Sequence, residues 1–270
     1  MKNSLRFLLI GDLIGKAGCT MFSKWAPRLK EKYKIDTIIV NGENSADNGR
    51  GITPPIANFI FESGASVITS GNHIWGHKNI YNYINEEERL IRPANYPSSC
   101  PGKGFKILNV EGHEVAVVSL QGRVFMSDQT DCPFKTMESI LSYIKTRTNI
   151  ILVDFHAEAT SEKEGMGFFL DGKVSAALGT HTHVQTADEK ILPNGTAYIS
   201  DLGFCGAVNS MLGMQTEAIL NKLITSMPSR FKVELNGPMV LTGAWVEIDI
   251  STGKALKIER VNIIDDEIIV

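Results

Sequence analysis

Residues 149–156 read Asn-Ile-Ile-Leu-Val-Asp154-Phe155-His156, and residues 174–183 read Val-Ser-Ala-Ala-Leu-Gly179-Thr180-His181-Thr182-His183. In both, a short apolar run ends on polar side chains. Such a run suits a strand buried on both faces, as in a sheet covered by helices. The pattern recurs upstream. Residues 5–10 lead into Gly11-Asp12, residues 37–40 into Asn41-Gly42-Glu43-Asn44, and residues 66–69 into Ser70-Gly71-Asn72-His73.

Helical patterns lie between these runs. Residues 16–34 are amphipathic, with Pro27 expected to kink or interrupt the helix. Residues 54–62 carry Thr53 as N-cap and Pro54 in the first turn, a favoured start. Residues 134–145 and 215–225 also space their apolar side chains for a helix. Strand–helix alternation predicts an α/β fold. After Gly237, residues 240–250 and 255–264 alternate around Ser251-Thr252-Gly253, which predicts a hairpin. No linker, repeat or low-complexity tract interrupts the chain, so residues 1–270 are read as a single domain.

Composition narrows the function. With 270 residues, 43% hydrophobic and 21% charged, the chain reads as a folded soluble protein rather than a disordered or disulfide-stapled one. The 27 Lys+Arg against 30 Asp+Glu leave no global basic field, which argues against extended nucleic-acid binding. Cys19, Cys100, Cys132 and Cys205 form no CxxC pair and read as reduced thiols, with Cys19 and Cys205 as small core or loop residues. No segment is long and apolar enough to span a bilayer. Residues 1–9 read as a first strand rather than a signal peptide, and the expected location is cytoplasmic.

In α/β sheets the ligand site lies beyond the carboxyl ends of the strands. Here those ends deliver Asp12, Glu43, Asn44, Asn72, His73, His156, His181 and His183. Taken singly, Asp12 is a turn or cap, Glu43-Asn44 a turn, Asn72-His73 a helix cap and His156 a core histidine. The shared position makes the set more specific than its members. Carboxylate, imidazole and amide oxygen without thiolate suit Mn, Fe or Zn in a non-structural site. Asp12, Glu43, Asn72, His156, His181 and His183 are too many donors for one four-coordinate ion. Two metals bridged by a carboxylate would use them all.

Other signals are weaker. Gly11-Asp12-Leu13-Ile14-Gly15-Lys16-Ala17 falls short of a phosphate loop, and Gly15 and Gly18 instead suit a turn and close helix packing. His113 is expected in an exposed turn. His77 reads as a helix-start residue, with bordering the substrate as the other option. Trp75 and Phe204 read as core, with Trp75 also a candidate pocket wall.

These motifs, in order and spacing, resemble the calcineurin-like metallophosphoesterase superfamily, and most closely its YmdB-like bacterial branch of cyclic-nucleotide phosphodiesterases. Residues 41–46, residues 69–73 with Trp75, and residues 154–163 carry the closer likeness. The resemblance covers essentially the whole chain. It implies a two-sheet β-sandwich flanked by helices on both sides, a four-layer αββα fold. It implies that Asp12, Glu43, Asn44 and His183 hold one metal, that Glu43 bridges to a second, and that Asn72, His156 and His181 complete it. His73 would be the proton donor. The chain departs from the wider superfamily twice: Asp12-Leu13-Ile14 lacks the usual Asp-x-His histidine, and Glu43 replaces the usual bridging Asp. Asn44 then stands in for the missing histidine, and this harder donor favours Fe or Mn over Zn.

The implied cofactors are two divalent or mixed-valence ions, Fe first, with Mn or Zn as the other candidates. The implied reaction is attack of a metal-bridging hydroxide on 2′,3′-cyclic nucleotides, and on 3′,5′-cyclic ones as an extension. Family analogy also implies a homo-oligomer. Two alternatives remain open: a phosphomonoesterase or RNA-cleaving nuclease on the same site, or a cyclic-nucleotide-binding regulator with a non-catalytic metal.

Overall fold

Two-residue periodicity inside the apolar runs sorts the protein into layers. The computed structural model describes residues 2–268 and Val270. In chain order it forms β1 (Ser4–Leu13), α1 (Gly15–Tyr33), β2 (Thr37–Asn41), α2 (Pro54–Glu62), β3 (Val67–Thr69), a single 3₁₀ turn (Ile74–Gly76) and α3 (Ile80–Glu86). Next come β4 (Phe105–Val110), β5 (His113–Gln121), α4 (Pro133–Ile144), β6 (Ile151–His156), α5 (Thr160–Leu170) and β7 (Ala176–Thr180). The final stretch holds β8 (Lys190–Ile191), β9 (Ala197–Ile199), β10 (Phe204–Ala207), α6 (Thr216–Thr225), β11 (Met239–Asp249) and β12 (Ala255–Asp265).

The strands make two six-stranded sheets, ordered β12-β11-β10-β1-β2-β3 and β4-β5-β6-β7-β9-β8. Leu5, Phe7, Leu9, Ile39 and Val67 of the first sheet share a core with Val115, Val117, Leu152 and Leu178 of the second. The intervening residues Leu8, Ile10, Ile38 and Val40 face the opposite way, onto Phe22 and Leu29 of α1 and Ile60 of α2. On the far side, Val118, Ile151 and Val153 pack on Met137 and Leu141 of α4 and Met166 and Leu170 of α5. The order is helix, sheet, sheet, helix, the αββα sandwich expected. Helix α6 buries none of its residues and stands outside these layers.

Several local expectations are corrected. Pro27 does not interrupt α1, which continues to Tyr33 with one face held against the sheet by buried residues including Phe22 and Leu29. Thr53 takes the N-cap position but its side chain makes no capping bond. His113 opens β5 rather than sitting in a turn; the turn is Glu111-Gly112, with φ of 50° and 86°. The first strand also runs past Ile10, so Asp12 lies within β1, where the β1–β2 register shifts between Ile10 and Asp12. A Cβ at Gly11 would meet Gly203 O at 2.1 Å, so only glycine lets the two backbones approach there. Cys19 and Cys205 are buried, and Gly15 holds a φ of 53° at the start of α1.

Candidate metal centre

The carboxyl ends of the central strands from both sheets converge. Thr69 and Asn41 of the first sheet donate hydrogen bonds to Asp154 of the second, the Asn41 bond at 3.1 Å. Around this junction lie all eight residues named by the sequence reading.

Three histidines line it, and each has its outer ring nitrogen occupied. Thr180 Oγ1 donates to Asp154 Oδ1 at 2.7 Å, so its lone pair receives the N–H of His156 Nδ1 at 2.9 Å. His181 Nε2 lies 3.2 Å from Glu158 Oε2, and His183 Nδ1 lies 3.2 Å from the Leu212 carbonyl. Acceptors outside fix the tautomers, so the inner nitrogens carry lone pairs toward the junction.

What those lone pairs meet is more acceptors. His156 Nε2 is 3.0 Å from Glu43 Oε1, 3.1 Å from Asn72 Oδ1 and 3.0 Å from His181 Nδ1. One ring nitrogen carries at most one proton, so a single hydrogen cannot satisfy three acceptors. A cation among them would. Glu43, His156 and His181 meet the geometry for a shared ion. Beside them, His183 Nε2 lies 3.0 Å from Asp12 Oδ2, while the fully buried Asp12 Oδ1 has no partner. An orphaned carboxylate oxygen in a buried site fits a cation position. The donor set therefore fits a metal site, with Glu43, His156 and His181 as its closest group.

Asn44 is placed differently from the other donors. Its amide nitrogen faces Asp12 Oδ2 at 3.3 Å, Glu43 Oε1 at 3.2 Å and His183 Nε2 at 3.3 Å, while its oxygen accepts from His73 Nδ1 at 2.6 Å. A half-turn of the amide would present oxygen to the junction and nitrogen to His73.

The titrations of these side chains follow from this crowding. Burial opposes ionisation of Glu43, but His156 and His73 outweigh it and hold its pKa well below the usual range. Burial likewise opposes charging of His156, yet Glu43, Asp12 and Asp154 raise it to about 9. His181 falls to about 3, through burial first and then the adjacent His156.

The backbone is shaped for this crowding. His181 and His183 adopt φ of 103° and 63°, unusual for non-glycine residues. Thr182 between them is clamped by Asp201 Oδ2, which accepts from its N–H at 3.0 Å and its hydroxyl at 2.8 Å, and Asp201 is itself held by buried Lys163 at 2.6 Å. At Gly71 an added Cβ would lie 2.3 Å from His156 Nε2 and 2.4 Å from Glu43 Oε2. Gly71→Ala is therefore expected to destabilise the protein by about 1–3 kcal/mol and to reduce bound metal, read by the thermal midpoint and metal analysis.

The sequence reading missed Asp154, Thr180, Glu158, Lys163 and Asp201 as supports. Asp154 and Thr180 stand within the quoted strand ends and were legible there; the Lys163–Asp201 pair joins distant segments with no spacing signal. Trp75 packs edge-on against Tyr81 and Tyr96, with ring centroids 5.6 and 5.8 Å away, half-buried at the margin of the core. Phe204 stacks on the His183 ring at 6.0 Å. His77 does not start a helix; it follows the 3₁₀ turn, and its Nε2 donates to the Arg50 carbonyl at 3.1 Å.

A family model described as YmdB-like protein matches residues 8–261. The chain belongs to the YmdB-like protein family. This YmdB-like chain is 47% identical over 262 residues to a Bacillus subtilis (strain 168) protein named 2′,3′-cyclic-nucleotide 2′-phosphodiesterase, covering 97% of this chain and 98% of that one. A crystal structure from Mycoplasma pneumoniae, described as a novel phosphatase, superposes with a TM-score of 0.92 at 34% identity, covering 98% of this chain and 95% of the other. A hypothetical protein from Thermus thermophilus gives 0.89 at 36% identity, covering 97% and 100%. The family and the fold read from the motifs are both borne out. No helix among the described residues of the YmdB-like chain is long and apolar enough to cross a membrane.

Proposed function

We propose that this protein is a metal-dependent phosphodiesterase that hydrolyses 2′,3′-cyclic nucleotides at the bond to O2′, with 3′,5′-cyclic nucleotides as a slower class. The carrying observation is the inward convergence of three imidazole lone pairs on carboxylate and amide acceptors, with the outer nitrogens tied back. Asp12, Asn44 and His183 would hold one ion, Asn72, His156 and His181 a second, and Glu43 both. Such a pair, Fe first and Mn or Zn otherwise, supplies Lewis acidity and a lowered water pKa when bound.

The chain's own residues do the rest. Buried Glu43 stays ionised and anchors the centre. Thr180, Glu158 and the Leu212 carbonyl keep the rings in their ligating tautomers. His73 sits at the solvent side, its Nδ1 held by Asn44 and its Nε2 turned outward. As the P–O2′ bond breaks, the departing oxygen needs a proton, and His73 in its protonated form would deliver it from Nε2, returning to the neutral ring that keeps its Nδ1–H on Asn44. The product would be a nucleoside 3′-phosphate.

The test is metal analysis of purified protein, then rates at matched metal loading on 2′,3′-cyclic nucleotides, 3′,5′-cyclic nucleotides, phosphomonoesters and RNA. The expected order puts 2′,3′-cyclic substrates first. Faster turnover of monoesters or RNA overturns the substrate assignment, and cyclic-nucleotide binding without turnover in metal-replete protein makes the site a sensor.

A further inference from the structure

Arg50 differs from most other arginines that carry a side-chain contact. Arg6, Arg89, Arg147 and Arg260 each pair with a glutamate. Arg50 pairs with no carboxylate among the described residues. Its guanidinium instead lies against the imidazole of His73, with Nε 3.4 Å and one terminal nitrogen 3.3 Å from His73 Nε2. A neutral ring nitrogen is a weak acceptor for a charged fork that binds two oxygens best.

The backbone carrying Arg50 is fixed although the side chain is exposed. Its N–H donates to Asn48 Oδ1 at 3.1 Å, and its carbonyl accepts from His77 Nε2 at 3.1 Å. Ala46 N–H donates to the Gly51 carbonyl at 2.9 Å, closing the loop that begins at Glu43 and Asn44. Gly51 has a φ of 82°, and a Cβ there would press on the His77 ring at 2.9 Å. This loop therefore returns a free guanidinium to the open face of the centre its own first residues build. Here His77 has a role: it holds the carbonyl of Arg50.

We infer that Arg50 binds the non-bridging phosphoryl oxygens of the substrate, seating the phosphodiester between its guanidinium and His73. This rests on the phosphodiesterase reading for its substrate, but the recognised chemistry is a phosphate group and can be tested with phosphate alone. An arriving anion displaces the imidazole from the guanidinium because a phosphate adds ion–ion attraction and two acceptor oxygens that match the fork, where the imidazole offers one uncharged nitrogen. The displaced Nε2 of His73 then faces the same phosphate.

The experiment uses metal-loaded Arg50→Met and Arg50→Lys proteins beside the wild type. Calorimetry measures the affinity for inorganic phosphate, and steady-state kinetics follow a 2′,3′-cyclic nucleotide. Arg50→Met should keep its metal and its thermal midpoint. It should bind phosphate roughly ten- to a hundredfold more weakly and lose about 10²-fold in kcat/KM. Arg50→Lys should recover part of both losses. Unchanged phosphate affinity in the Met variant, phosphate binding too weak to detect in the wild type, or no recovery with Lys overturns the assignment. A wild-type protein that binds phosphate through Arg50 yet cleaves no phosphodiester would leave Arg50 in place and refute the proposed activity instead.

Discussion

Glu43→Gln should abolish stoichiometric metal binding and lower turnover by on the order of 10³-fold or more, beyond the ten- to hundredfold typical of losing a partner outside the ligand set. Glu43 is fully buried, yet its two oxygens serve four groups. Oε2 accepts the His73 backbone N–H at 3.0 Å; Oε1 lies 3.2 Å from the Asn44 amide, 3.4 Å from His73 Nδ1 and 3.0 Å from His156 Nε2. A glutamine keeps the volume and loses the charge. Its amide N–H can donate to the inward lone pair of His156, filling the space with a hydrogen bond where a cation needs an anion. Titration with Mn checks this twice. Wild-type protein should gain thermal stability as the ion binds only the folded state, and the variant should gain none. A Glu43→Gln protein that holds a full complement of metal would remove Glu43 from the centre.

How far the sequence revealed this depends on the distance over which each feature is encoded. The buried strands β2, β3, β6 and β7 were legible because their short apolar runs, Ile38–Val40 and Ile150–Val153 among them, suit strands covered on both faces. Their polar ends named Glu43, Asn72, His156 and His181 without any knowledge of pairing. Strand β4 was not placed, since residues 105–108 of this edge strand are only half-buried and Lys106 interrupts the run, and β5 was passed over although residues 115–118 are such a run. Asp12 was expected just beyond the first strand but lies within β1, because the irregularity that keeps it there depends on Gly11 backing onto Gly203. Lys163 and Asp201 were unreadable as a pair: 38 residues separate them, and only the folded α5 beside the end of β9 makes them neighbours. Arg50 gave no signal either, as an exposed arginine in a glycine-rich loop looks like any solvated one.

His73→Ala should lower turnover of cyclic nucleotides by roughly 10²- to 10⁴-fold, the usual worth of a positioned proton donor, while leaving the metal content intact. His73 contacts the centre through its backbone N–H and Nδ1, whereas the other histidines direct an inner nitrogen into it. The variant keeps the backbone bond to Glu43, so the scaffold of the site survives. The decisive comparison is the leaving group. A ribose oxygen departs as a strongly basic alkoxide and needs the proton; a nitrophenolate departs as a stable anion and does not. On bis(p-nitrophenyl) phosphate the same variant should therefore lose less than about tenfold, because the interaction removed is one made only as the leaving oxygen gains charge. Arg50→Met should behave in the opposite way, losing ground on both substrates, since each presents the same phosphoryl oxygens. Equal losses for His73→Ala on the two substrates would assign the imidazole to shaping the site rather than to proton delivery.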